Sequence, residues 1–223
     1  MLKSIVYTAL AALLSLTSCT RDAYDEGTGT FSLTQADFVE AHANGSKQMD
    51  YVLTDDGDSL NMTSAQSISW MQQKDTLYRA LLYYNKVGTN EAELVALSYV
   101  YTLQAKPTKS YKSVTTDSAD FESAWVSKNR RYLNFGLLFK AGYTDKDVTG
   151  QSIGLACDSI HQNTDGTKTA YYLFLHEQNG VPEYFTVKSY ISVPMSSIVA
   201  DSVVFTIHTY KNGVLRKRIS LRD

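Results

Sequence analysis

Cysteine is nearly absent from these 223 residues: there are two, Cys19 and Cys157. Two thiols cannot build a disulfide framework, and they offer no thiolate metal site. Histidine is almost as scarce. His42, His161, His176 and His208 are the full set, and none stands at the HxxxH, HxH or HExxH spacing that brings two imidazoles to one metal. Charge of one sign is missing as well. With 21 Lys and Arg against 23 Asp and Glu, the net charge is −2, too small and of the wrong sign to argue for nucleic acid. No apolar run reaches the roughly 20 residues that a membrane-crossing helix needs. No motif calls for a cofactor.

What is present begins at the N-terminus with MLKSIVYTALAALLSLTSC. Lys3 is its lone charge, and residues 5–16 are apolar apart from Tyr7, Thr8 and Ser15. That length suits the apolar region of a signal peptide. The segment ends in Leu16-Thr17-Ser18-Cys19, which resembles the lipobox read by bacterial lipoprotein signal peptidase. A thiolate is nucleophilic enough to take a diacylglyceryl group, and small residues before it let a peptidase approach the bond. The expectation is that residues 1–18 are removed and Cys19 becomes the lipid-bearing first residue. Two or three acyl chains, palmitate among them, would then anchor the protein stably to a membrane. An ordinary secretory signal with an incidental cysteine is the alternative. Losing Lys3 leaves 20 basic and 23 acidic residues in a mature chain of 205. Cys157 then has no thiol partner in the chain. In Ile153-Gly154-Leu155-Ala156-Cys157 it is expected to be a buried, inert thiol.

Residues 19–30 are polar and acidic, and they are expected to form a lipidated, flexible tether. Asp22, Asp25 and Glu26 resemble the acidic export signal of surface lipoproteins in the phylum Bacteroidota; a soluble linker explains them equally well. The expected location is the cell envelope, as an outer-membrane lipoprotein, with surface exposure as one outcome.

The remainder is β in character. Prolines number three, aromatics are frequent, and apolar residues alternate with polar ones. Leu133, Phe135, Leu137 and Phe139 share one parity, as do Val203, Phe205 and Ile207, and Phe185, Val187, Ile191 and Val193. Asn44-Gly45, Asp56-Gly57, Asp165-Gly166, Asn179-Gly180 and Asn212-Gly213 punctuate these runs as turns. Helix is scarce; one turn over residues 119–124 competes with extended structure there. A break falls at Lys106-Pro107. Strands are predicted before it at 30–41, 49–54, 66–72, 76–86 and 93–104. After it they fall at 121–127, 131–141, 152–158, 169–177, 184–194, 202–210 and 214–221. The fold class is therefore all-β: an N-terminal OB-like small barrel over residues 31–106, followed by a C-terminal β-sandwich over 107–223. In the last hairpin, a two-residue loop would set Phe205 opposite Ser220. A three-residue loop, Lys211-Asn212-Gly213 with positive φ at Gly213, sets Phe205 opposite Ile219 and is the expected one.

Several stretches resemble the NigD-like family of Bacteroidota lipoproteins. In the first half they are Asp37-Phe38-Val39-Glu40-Ala41-His42, Tyr51-Val52-Leu53-Thr54-Asp55-Asp56-Gly57-Asp58-Ser59-Leu60 and Tyr78-Arg79-Ala80-Leu81-Leu82-Tyr83-Tyr84-Asn85. In the second they are Phe121-Glu122-Ser123-Ala124-Trp125, Tyr132-Leu133-Asn134-Phe135 and Gly180-Val181-Pro182-Glu183-Tyr184. The resemblance implies an OB-like domain followed by a β-sandwich. It implies no activity and carries no functional residues across.

Candidate chemistry is sparse. Gly150-Gln151-Ser152-Ile153-Gly154 matches G-x-S-x-G, but a nucleophile elbow needs a strand before the serine and a helix after it. Here a polar stretch precedes and an apolar run follows. Asp55-Asp56-Gly57-Asp58 could attract calcium, yet an Asp-Gly turn between strands accounts for it. Sixteen tyrosines and two tryptophans could make a carbohydrate platform, though aromatics also favour strands for packing alone. Asp-Ser/Thr-apolar triplets recur at Ser59, Thr76, Ser118, Ser159 and Ser202 and resemble the O-glycosylation motif of exported Bacteroidota proteins; turn chemistry is the competing account. The sequence thus favours a non-catalytic binding or structural module, partnered by the membrane through its lipid and by an envelope protein or glycan. The alternative is an envelope hydrolase with Ser152 as nucleophile.

Overall fold

The computed structural model describes residues 33–143 and 150–222. The signal segment, Cys19, the tether and the polar stretch at 144–149 lie outside the described residues. Among those described, no helix is long and apolar enough to cross a membrane.

The first five strands close into a barrel: β1 (Gln35–Ala43), β2 (Gln48–Thr54), β3 (Ser59–Ser67), β4 (Thr76–Gly88) and β5 (Glu91–Tyr99), in the order β1-β2-β3-β5-β4. Strand alternation explains its filling. Val39, Ala41 and Ala43 of β1, and Ala80, Leu82 and Tyr84 of β4, point inward and are buried. Alanines at these positions allow so small a barrel to close, while Met49, Met62 and Met71 fill its irregular gaps. The strand predicted at 66–72 is instead the end of β3 followed by turns. Ile68, Trp70 and Met71 do not alternate; they pack against the barrel core, and Met71 N–H donates to the Ile68 carbonyl.

The chain leaves the barrel at Tyr99, which splits the strand predicted over 93–104. Two short strands follow, β6 (Tyr101–Thr102) and β7 (Lys106–Pro107), and each joins a different sheet of the second region. Residues 101–106, assigned by the sequence to the first domain, thus pair with strands of the second. The remaining strands are β8 (Asp120–Val126), β9 (Tyr132–Ala141), β10 (Ser152–Gln162), β11 (Lys168–Glu177), β12 (Phe185–Pro194), β13 (Ser202–Thr209) and β14 (Gly213–Ser220). They form a five-stranded sheet, β14-β13-β11-β10-β7, and a four-stranded sheet, β6-β12-β9-β8. Residues 119–124 are therefore extended.

Leu133, Phe135, Leu137 and Phe139 of β9 face Leu155, Phe174 and Phe205 from the other sheet. Phe135 and Phe205 stack at 4.4 Å between ring centroids. Each such side chain contributes about 1.5–3 kcal/mol by leaving water. The last hairpin keeps the expected face but not the expected register. Phe205 lies opposite Lys217, and Val203 opposite Ile219, a shift of two residues. Thr209 causes it: its hydroxyl accepts from Asn212 N–H and donates to the Gly213 carbonyl. The loop is thus Tyr210-Lys211-Asn212, and Gly213 carries the positive φ of 62°.

Candidate functional site

The barrel meets the sandwich through side chains that strand alternation turns away from each core. Phe38 and Glu40 come from β1, Arg79, Leu81 and Tyr83 from β4, Tyr132 and Asn134 from β9, and Lys188, Tyr190 and Ser192 from β12. Arg79 is the centre. Its side chain is 1% exposed and holds both carboxylate oxygens of Asp55 at 2.6 Å. Its Nε donates to Ser192 Oγ at 3.1 Å, and Nη2 donates to Asn134 Oδ1 at 3.2 Å. The guanidinium lies 4.1 Å from the Tyr132 ring centroid and 5.4 Å from that of Phe38. Asn134 and Ser192 face one another across β9 and β12, and Ser192 Oγ donates to Asn134 Oδ1.

A second layer braces the first. The Tyr132 hydroxyl donates to Glu40 Oε1 at 2.6 Å, and Arg131 pairs with the same carboxylate. Burial, then the bond to Glu40, pushes the Tyr132 phenol up to about 12. Phe38 packs edge-on against Tyr190 at 5.0 Å and Trp125 at 5.4 Å. Gly136, opposite Tyr190, leaves room beside it: a Cβ there would come 2.6 Å from Ser123 Oγ and 3.0 Å from Glu122 Oε2.

Moving along the same seam away from Arg79, the contact opens into a cavity of about 450 Å³. Tyr83, Tyr99, Tyr101, Ser98, Ser189 and Lys188 line it, with Tyr190 behind. The first three rings are 37%, 46% and 52% exposed. Glu122 lies 2.6 Å from Lys188 Nζ, and its hydrogen bond, followed by that to Tyr190, holds the ammonium above its usual range.

Of the residues singled out from the sequence, Asp55 belongs to the seam and the serine and histidine candidates fall elsewhere. Ser152 opens β10 and sits opposite Glu177, whose Oε2 is 3.5 Å from its hydroxyl. His176 is opposite Ile153, so alternation sends it to the other face of the sheet. There it is buried, with Nδ1 facing the Asp117 carbonyl and Nε2 facing Gln151 Oε1, each at 3.2 Å. His42 pairs with Asp50 at 2.7 Å, and His208 Nδ1 lies 3.4 Å from Thr116 Oγ1. Asp55-Asp56-Gly57-Asp58 forms the β2–β3 turn, with φ of 96° at Gly57. Asp55 serves Arg79, and Asp56 pairs with Lys128 at 3.0 Å. Cys157 packs against the sandwich core, and burial followed by Asp158 raises its thiol above the usual value.

Of the Asp-Ser/Thr positions, Ser59, Thr76 and Ser202 are the first residues of β3, β4 and β13. Ser118 precedes β8, and Ser159 stands at the bulge of β10. Ser59 is exposed, whereas Thr76 donates to the Lys74 carbonyl and Ser202 shares a hydrogen bond with Thr169.

The seam and the side chains that brace it define the class: an all-β protein in which an OB-like barrel is joined to a β-sandwich. Neither a family model nor a curated protein matches the sequence. Solved structures do match. The chain is similar to a NigD-like immunity protein from Bacteroides caccae, with 22% identity and a TM-score of 0.62 over 83% of this chain and 92% of that one. It is similar to a protein from Parabacteroides distasonis provisionally named toxin-related, with 16% identity and a TM-score of 0.62 over 83% and 92%. A third, from Bacteroides fragilis and provisionally named a lipoprotein, has 13% identity and a TM-score of 0.57 over 85% and 98%. The resemblance to the NigD-like family seen in the sequence thus holds at the level of the fold.

Proposed function

We propose that this chain is a non-catalytic binding module of the cell envelope, held to a membrane by lipid on Cys19. The observation that carries this reading is the seam: a rigid, ion-paired junction at one end and an open, tyrosine-lined cavity at the other. The Bacteroides fragilis neighbour bears the name lipoprotein, and none of the three neighbours is named as an enzyme. The hydrolase alternative needs an activating base beside Ser152 and donors for an oxyanion. Glu177 Oε2 lies 3.5 Å from the hydroxyl, but both side chains are exposed on the sheet surface, where water competes for that contact. His176 points to the opposite face of its sheet, and both its ring nitrogens already face acceptors. O-glycosylation belongs to the same proposal, with Ser59 the most accessible of the candidate hydroxyls.

Fractionation with a serine probe tests both halves. The native protein should stay with membranes through a high-salt wash, and Cys19→Ala should release it. A fluorophosphonate probe should leave the protein unlabelled. Retention of Cys19→Ala on membranes removes the anchor; stoichiometric labelling that vanishes in Ser152→Ala makes the chain an enzyme.

A further inference from the structure

We infer that the tyrosine-lined cavity of the seam binds an uncharged saccharide, an inference that rests on the chain being a binding module. The cavity's volume, about 450 Å³, lies within the range of ligand sites. Its walls come from both parts of the protein. Tyr83 and Tyr99 belong to barrel strands β4 and β5, Tyr101 to β6, and Lys188 and Ser189 to β12. The rings are set before any ligand arrives. Trp70 packs edge-on behind Tyr99 at 5.2 Å, and Tyr101 meets Tyr99 at 5.2 Å with ring planes 84° apart. Two nearly perpendicular rings make a corner, and fixing them in advance lowers the ordering cost of binding.

The polar atoms narrow the ligand class. Among the described residues, the hydroxyls of Tyr83, Tyr99 and Tyr101 make no side-chain hydrogen bond, so they remain free to donate and accept. Ser98 and Ser189 stand beside them. Among the described residues, Lys188 is the only charged one in the lining, and Glu122 already neutralises it. The wall therefore offers apolar ring faces, unspent hydroxyls and no net charge. A sugar ring presents the complement, with C–H bonds on its face and hydroxyls at its edge that both donate and accept. A proline-rich peptide would also stack on tyrosines, but it shows mainly carbonyl acceptors and would leave the accepting groups of the wall unused.

The test uses the detergent-solubilised mature lipoprotein and an immobilised panel of neutral and acidic oligosaccharides and proline-rich peptides. Hits are titrated in solution by the emission of Trp70, which touches Tyr99. Neutral oligosaccharides should bind, and Tyr99→Ser or Tyr101→Ser should weaken binding about tenfold each. Tyr184→Ser, at an exposed ring outside the cavity, should change nothing. Tyr101→Phe keeps the ring and removes only the hydroxyl, so it still reports on the site if the serine variants misfold; it should weaken binding less than loss of the ring. Absence of any neutral hit overturns the inference, as does binding indifferent to Tyr99 and Tyr101. Binding restricted to acidic glycans overturns it too. Capture of proline-rich peptides alone, sensitive to the same substitutions, overturns the saccharide assignment while leaving the binding-module reading standing.

Discussion

Tyr132, half-buried, and Tyr172, buried, are phenols that the fold holds in the neutral form. Burial and Glu40 push Tyr132 up to about 12; burial, then the nearby Cys157, does the same for Tyr172. Burial and Asp37 also raise Tyr84. In the unfolded chain these phenols titrate near 10.0. A raised folded value means that the unfolded state loses its protons first. The stabilisation is therefore complete below about pH 10 and disappears as pH climbs towards 12. Urea unfolding midpoints should be flat with respect to these groups up to that pH and should then fall. Tyr132→Phe and Tyr172→Phe should flatten the fall; unchanged alkaline sensitivity in the double variant would contradict the assignment. None of this burial could be seen in the sequence. Nor could the role of Arg79, because a lone arginine in Leu77-Tyr78-Arg79-Ala80-Leu81 has the pattern of a solvent-facing charge. Its polar partners Asn134 and Ser192 stand 55 and 113 residues away.

At the scale of the element, alternation was legible wherever one face is dry. The β9 pattern from Leu133 to Phe139 announced a core strand, and the four residues of that parity, Leu133, Phe135, Leu137 and Phe139, are all buried. The failure came in β3, where only Leu60 and Met62 point inside and the continuation from Thr63 to Ser67 has no large apolar residue to mark it as a strand. The last hairpin shows a finer limit. Parity selected the right face and the loop has the expected three residues, but its position depended on the Thr209 hydroxyl closing the turn one residue earlier. Gly213 then carries the left-handed backbone, with open space where a Cβ would stand. Gly213→Ala should therefore cost only the backbone term, about 1–2 kcal/mol. Gly213→Asn should lose less, since asparagine tolerates that conformation. Chemical denaturation measures both; an alanine variant as stable as the parent would mean that the hairpin relaxes into another register.

At the scale of the whole molecule, the order of barrel and sandwich was legible from turn spacing, but the way they are joined was not. The crossing segment is stitched to both sides: Val100 N–H donates to the Arg79 carbonyl, and Leu103 N–H donates to the Ser192 carbonyl. The side chains of those same two residues bond to each other. Domains joined by a bare linker move and unfold separately by default. Here a buried charge lies on the shared surface, so the native protein should unfold in one transition, with calorimetric and van't Hoff enthalpies in agreement. Asp55→Ala leaves the Arg79 guanidinium buried without its counter-charge, a loss of roughly 3–5 kcal/mol. Because that loss falls on the seam and not within either core, it should broaden or split the calorimetric transition. Adding Arg79→Met removes the stranded charge and should recover part of the midpoint. If Asp55→Ala melts as one transition at the native temperature, the ion pair does not couple the barrel to the sandwich, and the cavity beside it loses its rigid frame.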